Sequence, residues 1–468
     1  MAKALLSDNA LDAIGTLMFE KNDIQRLDAK ARNNTIFSLV SKEDMNTSGP
    51  SLYMSGDGNY VVDHKGRRFL DMLSSTTRSN SLGYGNKEIA QVMYDQAENM
   101  QYSGAGLYVS EPQVELAAKL AELAPGKLTK TCLVSGGSEA TETAIKLARQ
   151  YQHQSGSKPN SYKIISRWNA YHGSTMGALS VTDWLSVREI EAPRMPGASF
   201  VANPMCYRNP YGMDEDAYFD HCAQHLERQI LHEGPDQVMA FIGEPIMQAN
   251  GVQIPSKKYW KTVREICSHY GVLLIMDEVI TGFGRTGHWF ASEYFDVEPD
   301  ILNMAKSMSA GFAPVGAVMT TKEIADTMPL FRHVHTFGGH ATCCAAANKV
   351  IEIKQRDGLI DKAKNLGEQF GADLKATLLE HPIVGDVRGL GFWHAVDFTS
   401  DKVTKAVFED DTVTAIVQRM RDHGVIVGPI GTSLEIAPPL TSTKEELDEC
   451  VRVCAQSIDE IAKERSLA

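Results

Sequence analysis

The feature that most constrains the fold is the alternation of short apolar runs with helical patterns between Tyr84 and His340. Short apolar runs bounded by turn residues are typical of buried strands, whereas apolar residues at helical spacing indicate helices. Alternating strands and helices predict an α/β fold with a mostly parallel sheet wrapped by helices. The predicted strands are residues 131–134, 162–166, 238–243, 271–276 and 315–319, with helices at 139–152 and 257–270.

The pattern differs on both sides of this region. Residues 52–70 alternate short apolar runs with turn signals, which predicts small strands and hairpins. After residue 341, long helices lead to a predicted strand and a final helix, a pattern typical of a smaller α+β domain. We therefore predict an N-terminal segment (1–75) that packs with the small domain, a large domain (76–340) and a C-terminal small α+β domain (341–468).

Composition excludes several classes of protein. A net charge of -13 and a pI near 5.6 disfavour nucleic acid as a partner, because an acidic surface repels phosphates. The eight cysteines have no CxxC pairing or zinc-ligand spacing, so we expect free thiols and no metal. Asp8 and Asp12 interrupt the N-terminus where a signal peptide needs an apolar core. We expect a cytoplasmic protein with no membrane segment.

Small residues follow the first predicted strand, at the position where parallel sheets bind ligands. The segment Ser135-Gly136-Gly137-Ser138 leads directly into a predicted helix. Its backbone N–H groups and the Ser138 hydroxyl could hold an anion, since the helix dipole favours negative charge there. An ordinary serine cap on a tight turn is an equal alternative.

Carboxylates and an aromatic residue follow other predicted strands. Asp277 and Glu278 end one strand and Glu244 ends another, so these side chains should face the same edge of the sheet. A cationic ring nitrogen would be a natural partner for a buried carboxylate, although a helix cap is the alternative. Tyr171 and His172 follow a third strand, where the aromatic ring could stack on a planar ligand or pack in the core.

A lone lysine lies in an apolar stretch. Lys306 is the only charged residue between Asp300 and Lys322. A lysine there is costly unless it is paired or neutral, and a lysine with a lowered pKa is the nucleophile that forms Schiff bases. An anion cradle, an aromatic stacker, a carboxylate and such a lysine together describe a site for pyridoxal 5'-phosphate.

Long segments of the chain resemble the class III aminotransferases, the omega-aminotransferase group of fold type I. The resemblance runs from about Ser51 to the C-terminus. It is most specific between Asp277 and Lys306, and it is carried by the following segments: SGGSEATETAIKLARQY, YHGSTMGALS, EPIMQANGV, LLIMDEVITGFGRTGHWFASEYFDVEPDI, AKSMSAGFAPVGAV, HTFGGHATCCAAA and APPLTSTKEELDE. It implies a large domain with a seven-stranded type of sheet, and an enzyme that moves amino groups.

The resemblance also implies roles for individual residues. Lys306 would form the Schiff base with the cofactor and then move a proton between cofactor and substrate. Asp277 would keep the pyridine nitrogen protonated, with Glu244 nearby on the side of the cofactor's hydroxyl. Thr336 resembles the threonine that reaches the phosphate of the neighbouring subunit, which implies a homodimer with shared sites.

The remaining cofactor contacts surround the phosphate and the ring. By the same resemblance, Gly137 and Ser138 would hold the phosphate. Tyr171 would stack on one face of the ring, with His172 beside it, and Val279 would pack against the other face.

The chain departs from the family in its carboxylate-binding residues. Several members have an arginine where this chain has Glu435, and others have a mobile arginine near Gly428. Both usual anchors are therefore missing. As a hypothesis, the guanidinium of Arg78 could bind a substrate carboxylate instead, with an exposed or structural arginine as the alternative. We therefore expect an amine or omega-amino acid as donor and pyruvate or another small 2-keto acid as acceptor.

Other functions fit parts of the sequence. Residues 282–287 read GFGRTG and follow a strand, which matches the fingerprint of a dinucleotide-binding dehydrogenase. The acidic pair just before this motif disfavours a pyrophosphate there. An aminomutase, racemase or decarboxylase would use the same cofactor. A binding protein without activity is disfavoured, because binding alone needs no reactive lysine.

Overall fold

The computed structural model describes residues 21–184, 193–249 and 251–467. Asp8 and Asp12, on which the prediction about a signal peptide depends, lie outside these residues. In the part of the chain that is described, no helix is both long and apolar enough to cross a bilayer.

A seven-stranded sheet forms the centre of the molecule. Its strands run in the order β4-β10-β9-β8-β7-β5-β6, and only β10 is antiparallel to its neighbours. β7, β8 and β9 are buried at every position, as expected for parallel strands covered by helices on both faces. The strands are β4 (Leu128–Val134), β5 (Lys163–Arg167), β6 (Ala198–Val201), β7 (Val238–Gly243), β8 (Leu273–Asp277), β9 (Ile301–Met304) and β10 (Gly316–Thr321).

Two four-stranded sheets lie outside this centre. In the first, the N-terminal hairpin strands pair with β13 from the C-terminal part of the chain, in the order β1-β2-β3-β13. The second is antiparallel, in the order β11-β12-β15-β14. The strands are β1 (Tyr53–Asp57), β2 (Tyr60–Asp63), β3 (Arg68–Asp71), β11 (Val384–Leu390), β12 (Trp393–Phe398), β13 (Val425–Ile426), β14 (Gly428–Ile430) and β15 (Ser433–Ile436).

Helices cover the sheets. The described helices are α1 (Lys21–Asn34), α2 (Lys42–Thr47), α3 (Lys87–Met100), α4 (Glu111–Leu123), α5 (Gly137–Ser155), α6 (Met176–Ser180), α7 (Glu215–Glu233), α8 (Lys257–His269), α9 (Ala291–Phe295), α10 (Lys322–Thr327), α11 (Ala341–Arg356), α12 (Leu359–Leu378), α13 (Thr412–Asp422) and α14 (Lys444–Glu464). The three-part division of the chain remains a prediction.

The predicted strands of the central sheet are confirmed, with ends shifted by up to three residues. The prediction omitted β6 and β9, which are only four residues long, and it also missed β11, β14 and β15. β11 alternates glycine and charged residues with apolar ones, so its sequence has no continuous apolar run.

The GFGRTG motif does not form a dinucleotide site. Residues 282–287 run through turns, and the next helix, α9, starts only at Ala291 and has five residues. Arg285 is buried and donates hydrogen bonds to the carbonyl oxygens of Phe392 and Pro438 and to Ser74 Oγ. The motif therefore ties distant segments of the chain together instead of approaching a pyrophosphate.

Candidate active site

A pocket opens at the carboxyl edge of the central sheet. It is lined by Gly137, Ser138, Tyr171, His172, Gly173, Glu244, Ile246, Asp277, Val279, Ile280, Thr281 and Lys306. Because β4, β5, β7 and β8 run in the same direction, the segments that follow them meet at this edge. The structure thus brings together eight of the nine residues that were predicted to contact the cofactor.

The first turn of α5 forms one wall of the pocket. Gly137 begins this 19-residue helix, and a Cβ added there would lie 3.0 Å from Val279 Cγ1. Ser138 Oγ accepts a hydrogen bond from the Ser174 backbone N–H at 3.1 Å. The unpaired backbone N–H groups of this long helix can hold an anion, and a side chain at 137 would narrow the space beside Val279.

Asp277 ends β8 and lies deep in the pocket. Its Oδ2 is 2.6 Å from His172 Nδ1, and its Oδ1 accepts from the Val279 N–H at 3.2 Å. The other ring nitrogen of His172, Nε2, is buried and has no hydrogen-bond partner among the described residues. The histidine therefore holds the carboxylate in place.

Glu244 lies beside this pair. Its Oε1 accepts from the Tyr171 N–H at 3.3 Å and its Oε2 from the Gln248 N–H at 3.1 Å. Burial raises the pKa of Glu244, although the charges of His172 and Arg167 lower it. Its two backbone contacts connect the loop after β7 with the loop that carries Tyr171.

Glu278 has a different position from its neighbour Asp277. Its Oε1 accepts from the Ser292 N–H at 2.7 Å and from Ser292 Oγ at 2.6 Å. Its Oε2 accepts from the Ala291 N–H at 2.7 Å and from Thr281 Oγ1 at 2.6 Å. Both alternatives raised by the sequence thus occur: Asp277 faces the pocket, and Glu278 caps α9.

Lys306 enters the pocket from the turn after β9. Its backbone has a φ of 43°, in the left-handed region that side chains rarely adopt. Burial and then the positive charge of Arg78 lower the pKa of Lys306, whereas Asp277, Glu435 and Glu244 raise it, and the net result is a pKa of about 8. A large fraction of this amine is therefore neutral near pH 8, the state that a nucleophile needs.

A second buried lysine supports this turn. Lys354 Nζ donates to Ser307 O at 2.7 Å, Ser307 Oγ at 3.0 Å and Phe283 O at 2.9 Å. Burial lowers the pKa of Lys354 well below its ordinary value. The sequence analysis did not identify this lysine, although its position next to Ile353 and one helical turn after Val350 and Ile351 was an available signal.

Thr336 and Arg78 do not line the pocket. Thr336 is exposed, and its carbonyl oxygen accepts from the Tyr102 hydroxyl. Because its predicted role concerns a neighbouring subunit, that role remains a prediction. Arg78 lies near Lys306, but its guanidinium binds the buried carboxylate of Glu435. At position 428, a Cβ would lie 2.7 Å from Leu73 Cδ2, so Gly428 allows close packing.

The arrangement of the strands and the position of the pocket define the fold type I of pyridoxal-phosphate-dependent transferases. The chain belongs to the class III aminotransferase family, whose model (Aminotransferase class-III) matches residues 42–458. Enzymes of this family are pyridoxal-phosphate-dependent aminotransferases.

Curated relatives and solved structures match nearly the whole chain. A taurine–pyruvate aminotransferase of Bilophila wadsworthia is 35% identical over 86% of this chain and 91% of its own length. A putrescine–pyruvate aminotransferase of Pseudomonas aeruginosa is 32% identical over 93% of this chain and 96% of its own length. An (S)-enantioselective omega-transaminase from Thermomicrobium roseum superposes with a TM-score of 0.90 at 36% identity, covering 93% of this chain and 98% of that one. An omega-transaminase from Pseudomonas jessenii in complex with PMP gives a TM-score of 0.89 at 30% identity, with coverages of 93% and 98%.

Proposed function

We propose that this protein moves an amino group from an amine or omega-amino acid to a small 2-keto acid such as pyruvate, with pyridoxal 5'-phosphate as its cofactor. The observation that carries the proposal is the placement of Lys306, with its lowered pKa, in the same pocket as Asp277. Relatives named for transfer to pyruvate from taurine and from putrescine support the acceptor and donor classes.

The residues of the pocket fit this cofactor. The open first turn of α5 with Ser138 suits its phosphate, and the buried carboxylate of Asp277 suits its pyridine nitrogen. Tyr171 is held edge-on against Trp184, at 5.6 Å between ring centroids, and suits one face of a planar ring, with Val279 toward the other. When bound, the cofactor supplies an aldehyde that condenses with amines and a ring that accepts electrons from the substrate.

The protein's own residues then perform three tasks. Lys306 would act as a neutral amine nucleophile and afterwards hold a proton on Nζ, which its lowered pKa would allow it to give and take near neutral pH. Asp277, fixed by His172, would stabilise a positive charge on the ring nitrogen. Glu244 accepts hydrogen bonds from the backbone N–H groups of Tyr171 and Gln248, and so it would hold the two loops beside the ring.

We also propose a cytoplasmic homodimer with shared sites. Around Thr336, two contacting loops expose large apolar side chains, which a second copy would cover: Leu107 97%, Tyr108 73%, Val334 73% and Phe337 59%. Tyr102, whose ring lies 5.9 Å from that of Phe337, connects the two loops. The eight cysteines are free thiols, as a reducing compartment requires.

The function is tested by Lys306→Ala. We expect loss of turnover, because no other amine lines the pocket among the described residues. We also expect bound cofactor that borohydride no longer fixes to the protein. Absorbance spectra and mass spectrometry after reduction measure both effects, with Lys322→Ala on exposed α10 as the control. Retained turnover in Lys306→Ala would show that another lysine is the nucleophile.

A further inference from the structure

Arg78 is carried by a strained turn beside Lys306. Ser74, Ser75, Thr76 and Arg78 all have a φ between 48° and 62°. Such angles cost free energy in residues other than glycine. A run of residues with positive φ therefore persists only where the surrounding structure holds it. Asp71 accepts from the Ser75 N–H at 2.6 Å, and Ser74 Oγ donates to the Ala437 carbonyl at 2.6 Å. The fold thus holds the arginine in one orientation.

Glu435 fixes the guanidinium from one side. Arg78 Nε donates to Glu435 Oε1 at 2.8 Å, and Nη2 donates to Oε2. Trp393 Nε1 also donates to Oε1, at 2.6 Å. The side chain of Glu435 is 0% exposed and that of Arg78 is 13% exposed. Removing the cation from a carboxylate buried this completely would cost several kcal/mol, so we expect this contact to persist.

Gln248 occupies the other edge of the guanidinium. With its amide oxygen turned toward Arg78, Gln248 accepts from Nη1 at 2.9 Å and from Nη2 at 2.8 Å. Nη1 also donates to the Thr76 carbonyl at 2.9 Å. All five N–H groups of Arg78 are then used, so a substrate carboxylate could bind only by replacing one of these acceptors.

Gln248 is the weaker of the two side-chain acceptors of Arg78. Its side chain is a neutral amide, whereas a carboxylate makes a stronger bidentate contact with the same two nitrogens. The Gln248 backbone N–H donates to Glu244, which lines the pocket, so the residue that contacts Arg78 is also joined to a pocket side chain. The nearness of Arg78 to Lys306 is consistent with its effect on the pKa of that amine.

We propose that Gln248 is a displaceable partner of Arg78: the carboxylate of the keto-acid acceptor replaces its amide oxygen, while Glu435 stays bound and keeps the guanidinium oriented. Substrates without a carboxylate leave Gln248 in place, and the guanidinium stays satisfied. Gln248 then determines how strongly acceptors with a carboxylate are favoured. This inference rests on the proposed function, because it names the group that binds the acceptor.

The test compares two acceptors in the holoenzyme, with one amine donor kept constant. Pyruvate carries a carboxylate, and propanal has the same carbon chain length without one. Gln248→Leu removes the competing oxygen, so KM for pyruvate should fall about tenfold, the equivalent of one hydrogen bond to a charged group. Gln248→Glu adds a competing charge, so KM for pyruvate should rise by about tenfold or more. KM for propanal should stay the same in both variants.

Arg78→Lys is a third variant. It keeps a cation beside Glu435 but lacks the pair of N–H groups that binds a carboxylate in a bidentate way. We expect a higher KM for pyruvate and an unchanged KM for propanal. Gln369→Leu on α12, an exposed glutamine, is the matched control. If each Gln248 variant changes KM for pyruvate and KM for propanal equally, or changes neither KM, the inference is wrong. Absence of turnover with either acceptor in the wild type would instead contradict the proposed function.

Discussion

At the scale of single residues, the environment of Lys306 decides its chemistry. Its amine is buried near Arg78, and both effects lower its pKa, while three carboxylates nearby oppose them. The net result is a pKa of about 8, against an ordinary value of 10.5. An amine that is partly neutral at physiological pH can attack a carbonyl without a separate base.

This pKa predicts how cofactor attachment depends on pH. The protonated amine cannot attack, so the rate of attachment to cofactor-free protein should rise with pH, reach half of its maximum near pH 8 and level off at higher pH. The measurement is stopped-flow absorbance after pyridoxal 5'-phosphate is added. A rate that still rises above about pH 10 would mean that Lys306 has the pKa of an ordinary exposed lysine.

At the scale of elements, the packing between α5 and the loop at Gly173 shapes the anion cradle. Gly173 has a φ of 131°, and a Cβ there would lie 2.5 Å from Ser138 Oγ and 2.9 Å from Ala178 Cβ. Only a residue without a side chain lets this loop lie so close to the first turn of the helix. The position of the Ser138 hydroxyl therefore depends on a glycine that is 35 residues away in sequence.

Gly173→Ala should weaken cofactor binding by about tenfold, because the added methyl group displaces the Ser138 hydroxyl from the cradle. Fluorescence titration of cofactor-free protein with pyridoxal 5'-phosphate measures this. Gly156→Ala is the control: it also has a positive φ, at the end of α5, but no atom lies within 4 Å of its added Cβ. Equal affinities in the two variants would exclude a role for the Gly173 contact.

At the scale of the whole molecule, segments far apart in sequence converge near the pocket. Arg78 pairs with Glu435 across 357 positions, and Arg285 joins the Ser74 turn to the carbonyl oxygens of Phe392 and Pro438. The N-terminal hairpin and the C-terminal part of the chain therefore help to build the region around Lys306. The exposed loops around Thr336 are the surface that the proposed second copy of the chain would cover.

The proposed dimer predicts a particle of twice 51.4 kDa in solution. Leu107→Asp should shift it toward the monomer and lower activity, because a charge replaces an apolar contact in the proposed interface. Light scattering after size-exclusion chromatography measures the mass. Val403→Asp, at a side chain that is 91% exposed in another loop, should leave the dimer intact. A fully active wild-type monomer would contradict shared sites.

Much of the fold could be predicted from the sequence because β7 is apolar at every position and β8 at every position before Asp277. A run such as 238–243 has no polar face, so it must lie between two layers of helices. The order of strands and helices then fixed which residues meet at the carboxyl edge, including Ser138, Asp277 and Lys306. Short strands such as β9 were missed because four residues carry too weak a pattern.

The sequence by itself determined the α/β architecture and most of the residues that line the pocket, because periodicity and residue type are local properties of the chain. Only the tertiary structure decided that Asp277 faces the pocket while Glu278 caps a helix, and that Arg78 is held by Glu435 and Gln248. These contacts join residues that are distant in sequence. Their geometry depends on packing and on burial of charge, which local pattern does not encode.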